Sequence, residues 1–319
     1  MVVLCLLVSL VGIQPASAQA YPNKPIRMIV PFAPGGPADL GARPIAQLLS
    51  AKLGQPVVVV NRGGGAGSIG SIEAARSTPD GYTVTYTTSS FALAPLVYQK
   101  LGYDPIADFS PIVMSMTQPM VLVIHPKVPA RSVPELINYA KANPNGITYG
   151  SSGSGGITHL VSAEFGRRFG LELTHVPYKG SGPGVVDLIG GQILMMLTSF
   201  GTVRPHVESG RLRALAISAT SRSPILPEVP TLTEATQQEY PEFGVWQGML
   251  APRGTPRSVI TLLNGEVNAI LRDPEFRKRT IAEGSVILGG PPEQFSAYMK
   301  TEMARWGKVV RDVKIQPQD

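Results

Sequence analysis

Short apolar runs alternate along this chain with longer stretches whose apolar positions recur every three or four residues. "IRMIVPF" (26–32) reads as a strand, and "PVVVV" (56–60) as a strand buried on both faces. Between them, residues 38–53 place Ile45, Leu48, Leu49 and Leu53 on one face of a helix. "YTVTY" (82–86) and "PMVLVIHP" (119–126) are further strands. "SVPELINYAKAN" opens with a capping box, Ser132 to Glu135, which fixes a helix start. Later come "LRALAIS", a Pro-rich stretch "SPILPEVPTLTEA" and a strand "VWQGMLAP". Two amphipathic helices close the chain. One starts near Thr255-Pro256 and carries Ile260, Leu263, Val267 and Ile270; the other starts near Pro292 and carries Phe295, Met299 and Trp306. Strands separated by helices predict an α/β fold with mostly parallel sheets.

The pattern repeats at the level of architecture. Segment 25–76 runs strand, "APGG" turn, helix, strand, "RGGGAGS" turn, helix. Segment 146–192 runs strand "ITYGSS", "GSGG" turn, helix, strand "LELTHV", "PYKGSGPG" turn, helix. This predicts two α/β lobes, each with two Gly/Ser-rich strand-to-helix turns. In open α/β sheets ligands gather at the carboxyl ends of the strands. Lobes that face each other would bring four such turns, and their helix N-termini, to one cleft. That cleft would be rich in backbone N–H and hydroxyl donors and poor in side-chain charge, which suits a carboxylate.

Composition narrows the classes. The 319 residues are 43% hydrophobic and 16% charged, enough apolar content for a sizeable core. The net charge of +6 comes from scattered basic residues without interleaved aromatics, so nucleic acid is not the expected partner. "MVVLCLLVSLVGIQPASAQA" (1–20) reads as a secretory signal without a basic start, cleaved near Ala18 or Ala20 at one of two A-x-A sites. The sole cysteine, Cys5, falls inside it, so the mature chain has no thiol chemistry.

Catalytic signatures are weak. "GAGSIG" (65–70) matches G-x-G-x-x-G, but four residues separate it from the strand and no acid follows at the required distance. Walker A and G-x-S-x-G motifs are absent. Ser151, Ser152 or Ser154 could act as a nucleophile only with a paired histidine; His159, close in sequence, is expected on a helix beyond the loop. The four histidines are dispersed, so no metal and no cofactor are expected. Several residues keep two readings. Asp39 matches the charge of its helix's first turn or shapes the ligand loop. Tyr178 packs the lobes or meets the ligand. Lys179 is solvated or faces the ligand. His159 is structural or a contact, and Asp187 is a helix N-terminal charge or a ligand partner.

A set of stretches in fixed order resembles the solute-binding proteins of tripartite tricarboxylate transporters, the Bug family. They are "YPNKPIRMIVPFAPGGPADLGAR", "PDGYT", "YDPIADFSPI", "GSGGITHL", "PYKGSGPGVVDLIGGQ", "GRLRALAIS", "LPEVPTLTEA", "WQGMLAPRGTP" and "EQFSAYMKTEMARWGKVV". The resemblance implies a two-lobed Venus-flytrap of type II, a periplasmic location, no catalysis, and closure on a carboxylated solute. It implies delivery to a membrane permease; signalling to a membrane kinase is the alternative, and a secreted serine hydrolase using Ser151 or Ser152 the remote one. A monomer is expected. The expected boundaries are 21–122 plus about 225–255 for the first lobe, 123–224 for the second, and 256–319 for C-terminal helices packing on the lobes.

The expected ligand contacts lie on the turns. They are Pro34, Gly35, Gly36 and Asp39; Gly65 and Ala66; Thr88, Ser89 and Ser90; Ser151, Ser152, Gly155, Gly156, Thr158 and His159; Tyr178, Lys179, Gly180 and Asp187; and Thr198. Two departures from the family pattern bear on the ligand. "VVNRGGGAG" has Val60 and Gly63 where the family carries an acid and a proline. "GGQILMMLT" has Leu194 and Thr198 where it carries two aspartates. Fewer acids near the cleft weaken the case for an ammonium-bearing ligand, because a buried cation needs a partner.

Overall fold

A computed structural model describes residues 21–313; the signal-like segment 1–20, with Cys5 and its cleavage sites, lies outside them. The first half begins with β1 (Ile26–Val30), α1 (Pro37–Leu53), β2 (Val57–Asn61), α2 (Ser68–Ala75), β3 (Thr83–Thr88) and the short α3 (Ser90–Leu93). A 16-residue strand, β4 (Phe109–Ile124), carries the chain into the second half. There follow α4 (Val133–Ala142), β5 (Ile147–Ser151), α5 (Ile157–Phe169), β6 (Leu173–Pro177), α6 (Ser181–Ile189), β7 (Met195–Ser199), α7 (Phe200–Glu208), β8 (Arg213–Ser218) and α8 (Leu232–Thr236). The chain returns through β9 (Gly244–Pro252). It ends with α9 (Arg257–Arg272), α10 (Pro274–Ala282), β10 (Val286–Ile287) and α11 (Pro292–Val313).

The strands form one path, β2-β1-β3-β9-β4-β7-β5-β6, with β10 and β8 also pairing β4. Both βαβ repeats are parallel as the pattern predicts: β1 pairs β2 and β3, and β5 pairs β6 and β7. The sheet is mixed overall because the crossing strands run the other way. β9 is antiparallel to β3 and β4, and β4 is antiparallel to β7 and β8. The α1 boundary agrees with the predicted helix to one residue at its start. Its Ile45 and Leu49 are buried while Leu48 stays partly exposed.

Four apolar clusters divide between the halves. Met28, Val30, Ile45 and Leu49 pack with Leu263 and Val267 of α9 in the first lobe. Leu122, Leu160, Phe165 and Leu197 form the main core of the second. The boundaries differ from those expected. Strand β4 already pairs with β7 and β8 at Met120, so the second lobe starts about three residues earlier. The Pro-rich stretch stays with it: Leu226 and Val229 cover Val121 and Leu188, and Tyr240 and Phe243 join the cluster around Leu122. Those apolar faces of the second sheet would otherwise meet water, and the stretch covers them before β9 returns. Of the C-terminal helices, α9 packs on the first lobe. Helix α11 straddles both, with Phe295 and Met299 in a first-lobe cluster and Trp306 in the second-lobe core.

Candidate functional site

The four glycine-rich turns do converge. After β1 the chain turns through Gly35, whose φ of +81° is the left-handed conformation that glycine adopts without a Cβ penalty. Gly36 is extended, at φ −90°, and stands just before the first turn of α1. Asp39 fixes this turn. It is 3% exposed and accepts hydrogen bonds from the Gly35 N–H (3.1 Å), from Arg43 through two guanidinium nitrogens (2.7 and 3.0 Å), and from Asn61 Nδ2 (2.9 Å). Burial alone would raise the Asp39 pKa, but the bonds from Arg43, Gly35 and Asn61 outweigh it and hold the carboxylate below its ordinary value. Asp39 thus stands as the acid in the first turn of α1 and also braces the loop before it, with both oxygens committed within the first lobe.

In the second lobe the "GSGG" turn is pinned by hydroxyls and two imidazoles. Thr158 Oγ1 accepts from the Ser152 N–H (2.7 Å) and lies 2.9 Å from Ser152 Oγ. Ser151 Oγ bonds His175 Nε2 at 2.7 Å and accepts from the Gly153 N–H. His159 Nδ1 accepts from the Gly155 N–H at 3.0 Å. The two imidazole rings stack at 4.0 Å, with Tyr149 stacked on His175 at 4.9 Å. Burial pushes the His159 pKa down to about 3, helped by neighbouring His175, and burial alone pushes His175 to about 4. His159 is thus a neutral structural acceptor. Tyr178 and Asp187 satisfy each other, hydroxyl to carboxylate at 2.7 Å.

The lobes are closed on each other through backbone groups and side-chain hydroxyls. The Ala33 N–H donates to the Lys179 carbonyl across the cleft at 2.8 Å. The Ile157 N–H at the start of α5 donates to Ser90 Oγ from the first lobe, and Tyr98 Oη donates to the Ser154 carbonyl. Glycines allow the approach: a Cβ on Gly182 would stand 2.2 Å from the Pro34 carbonyl oxygen, and one on Gly153 would stand 2.8 Å from the Ala66 nitrogen. Lys179 reaches the other lobe through its carbonyl, while its side chain is exposed.

Behind these contacts lies an inner cavity of about 10 Å³. Gly36, Pro37 and Ala38 from the start of α1 line it, with Ile157 and Thr158 from α5, Ser181 from α6, Ser152 and Thr88; Phe32 and Val245 close it. No charged side chain is among these. Three helix N-termini meet there, each equivalent to about half a positive charge. In front lies a pocket of about 600 Å³, lined by Gly65, Ala66, Ile69, Tyr98, Tyr178, Lys179 and Pro183 among others. A separate groove of about 290 Å³ runs between α1 and α10, past Leu40, Leu48 and Phe276, and none of the glycine-rich turns reaches it.

The expected contacts therefore divide. Gly36, Thr88, Ser152 and Thr158 line the inner cavity, and Gly65, Ala66, Tyr178 and Lys179 the outer pocket. Pro34 and Gly35 sit against Gly182, and Gly155 against Val97 and Tyr98. Gly156 and Gly180 precede α5 and α6. Ser89 is committed to the crossing strand, its Oγ accepting from the Trp246 N–H. Thr198 is fully buried at the end of β7 with no hydrogen-bond partner for its hydroxyl. Sequence reasoning missed Phe32, Tyr98, Ser181 and Val245. Ser181 follows directly on "KG" in a recognised turn, so it was within reach. Phe32 and Val245 look like any apolar strand residue.

A serine–histidine pair does exist, but between Ser151 and His175 and not His159. Ser151 is fully buried, and neither residue lines the cavity or the outer pocket. Among the described residues no group of His, Cys, Asp and Glu could hold a metal ion, and no helix is long and apolar enough to cross a membrane.

Two α/β lobes joined by crossing strands, with helix N-termini facing one another across the cleft, define a two-lobed solute-binding protein. Residues 42–315 match the model of the tripartite tricarboxylate transporter family receptor, and the chain belongs to that family. It is similar to protein BugT of Bordetella pertussis, 40% identical over 302 residues that cover 93% of this chain and 92% of that one. A solved R. palustris protein with adipate is 36% identical with a TM-score of 0.90, covering 93% of this chain and all of that one. MatC from Rhodopseudomonas palustris, with bound malate, is 29% identical with a TM-score of 0.87, covering 91% of this chain and all of that one. The family is one of transport receptors, not of enzymes.

Proposed function

We propose that this protein is exported to the periplasm, captures a small carboxylate between its lobes and hands it to the membrane permease of a tripartite transporter. The observation that carries this reading is the uncharged inner cavity ringed by three helix N-termini. A carboxylate there gains the favourable field of all three and hydrogen bonds from backbone N–H groups and hydroxyls. Gly36, Thr88, Ser152, Thr158 and Ser181 are its proposed contacts. Carboxylates bound in related receptors support the same reading.

Capture requires motion. The inner cavity, at about 10 Å³, has room for about one water and is sealed by cross-lobe contacts, so the lobes separate to admit solute and re-close around it. Native mass spectrometry of the protein as purified, followed by calorimetric titration of any acid found, tests the assignment. A co-purified carboxylic acid that rebinds stoichiometrically is the expected result. Binding confined to uncharged or purely cationic compounds overturns it.

A further inference from the structure

We propose that the solute's carboxylate is attached to an apolar body, an aromatic, alicyclic or alkyl group, which lies in the outer pocket. This inference rests on the carboxylate reading of the inner cavity. That cavity, at about 10 Å³ as the lobes stand, holds about one water, so a carboxylate seated there on re-closure would have its body extend outward between the lobes. The outer pocket, about 600 Å³, lies on the far side of the cross-lobe contacts that close the cavity. Consecutive residues pass from one to the other: Phe32 lines the cavity and Ala33 the pocket, and Ser152 lines the cavity and Gly153 the pocket.

The walls of the outer pocket offer apolar surface. Ala33, Ala66, Ile69 and Pro183 contribute methyl, methylene and ring carbons. Both tyrosines there have committed hydroxyls, Tyr98 to the Ser154 carbonyl and Tyr178 to Asp187, so what they show a ligand is ring. Among the described residues on the lining, Lys179 alone carries a charge, and its side chain is exposed. Ile69 is 56% exposed, an aliphatic side chain at the lip that a bound apolar group would cover.

The test is a titration of the purified protein, freed of co-purified solute, with acetate, butyrate, hexanoate, benzoate and adipate. Affinity is expected to rise from acetate to hexanoate, by up to about fourfold per buried methylene. Hexanoate should bind more tightly than adipate, which has the same number of carbons and a second charge. Ile69→Asn should lower the ratio of hexanoate to acetate affinity, and a Tyr98→Leu variant that keeps that ratio within twofold would support an apolar role for the ring. Adipate binding tenfold more tightly than hexanoate, or affinities that do not change with chain length, overturn the inference while leaving the carboxylate reading intact. No binding by any of these acids, while uncharged compounds bind, overturns the carboxylate reading and this inference with it.

Discussion

Acidification should loosen this protein through two histidines. His159 and His175 stack beneath the "GSGG" turn and are held neutral, with pKa values pushed down to about 3 and about 4. An unfolded histidine titrates near 6.5, so below that pH the unfolded chain binds protons that the folded chain refuses. The sign follows: stability is full above about pH 6.5 and falls as pH drops toward the folded values. Each refused proton costs about 1.4 kcal/mol per pH unit, so His159 contributes roughly 3 kcal/mol of destabilisation at pH 4.5. His175 is more exposed, and halving its share for solvent screening leaves roughly 1 kcal/mol. The sum, roughly 4 kcal/mol, is a large part of the 5–15 kcal/mol that typically holds a fold. Protonation also converts His159 Nδ1 from acceptor to donor and breaks its bond from the Gly155 N–H. The assay is urea unfolding at pH 7.0, 5.5 and 4.5, comparing the natural protein with a His159→Phe/His175→Phe double variant. Buried carboxylates such as Asp39 titrate in both and cancel. The natural protein should lose roughly 4 kcal/mol more than the variant between pH 7.0 and 4.5. Equal losses would refute the reasoning, as would imidazole NMR titrations near 6.5 in the folded protein.

Three other perturbations have clear outcomes. Gly182→Ala places a Cβ 2.2 Å from the Pro34 carbonyl oxygen, so the closed state should become inaccessible; solute affinity should fall at least about tenfold, as calorimetry would register, with the unliganded melting temperature little changed. Gly36→Val fills the inner cavity without backbone strain, since φ there is −90°, and should abolish the thermal stabilisation by solute while the circular dichroism spectrum is retained. Arg43→Ala removes the bidentate partner of buried Asp39 and should cost about 1.5–3 kcal/mol by urea unfolding, and Arg43→Lys should recover only part of it.

Much of the fold was legible because its signals are local. Helix α1 announces itself through Ile45 and Leu49 at helical spacing, and the two βαβ repeats through matching turns. The cleft was legible for the same reason, since glycine-rich strand ends in a parallel sheet point one way. What sequence could not supply is register and reach. Ser151 meets His175 only because β5 and β6 pair with Tyr149 opposite His175, and 24 residues separate the two partners. Asp39 could be assigned only once Asn61, 22 residues on, was seen to donate to it. The Pro-rich stretch 225–243 carries no periodicity that says which lobe its leucines cover. Tyr98 lies on an irregular segment, and only lobe closure brings it to Ser154.

The sixteen residues of β4 belong to two cores at once. Met116 packs among first-lobe side chains, and Met120 and Leu122 pack in the second. Across the molecule, α11 repeats the arrangement, with Met299 in one core and Trp306 in the other. Neither lobe can therefore melt without stripping one end of a strand and one end of a helix from the other. Heating should produce a single calorimetric transition, with van't Hoff and calorimetric enthalpies in agreement, from a molecule whose halves are proposed to move as separate bodies on capturing solute. Cooperative unfolding and the proposed hinge motion are compatible here, because each shared element has its two ends anchored in different cores and leaves only its middle to bend.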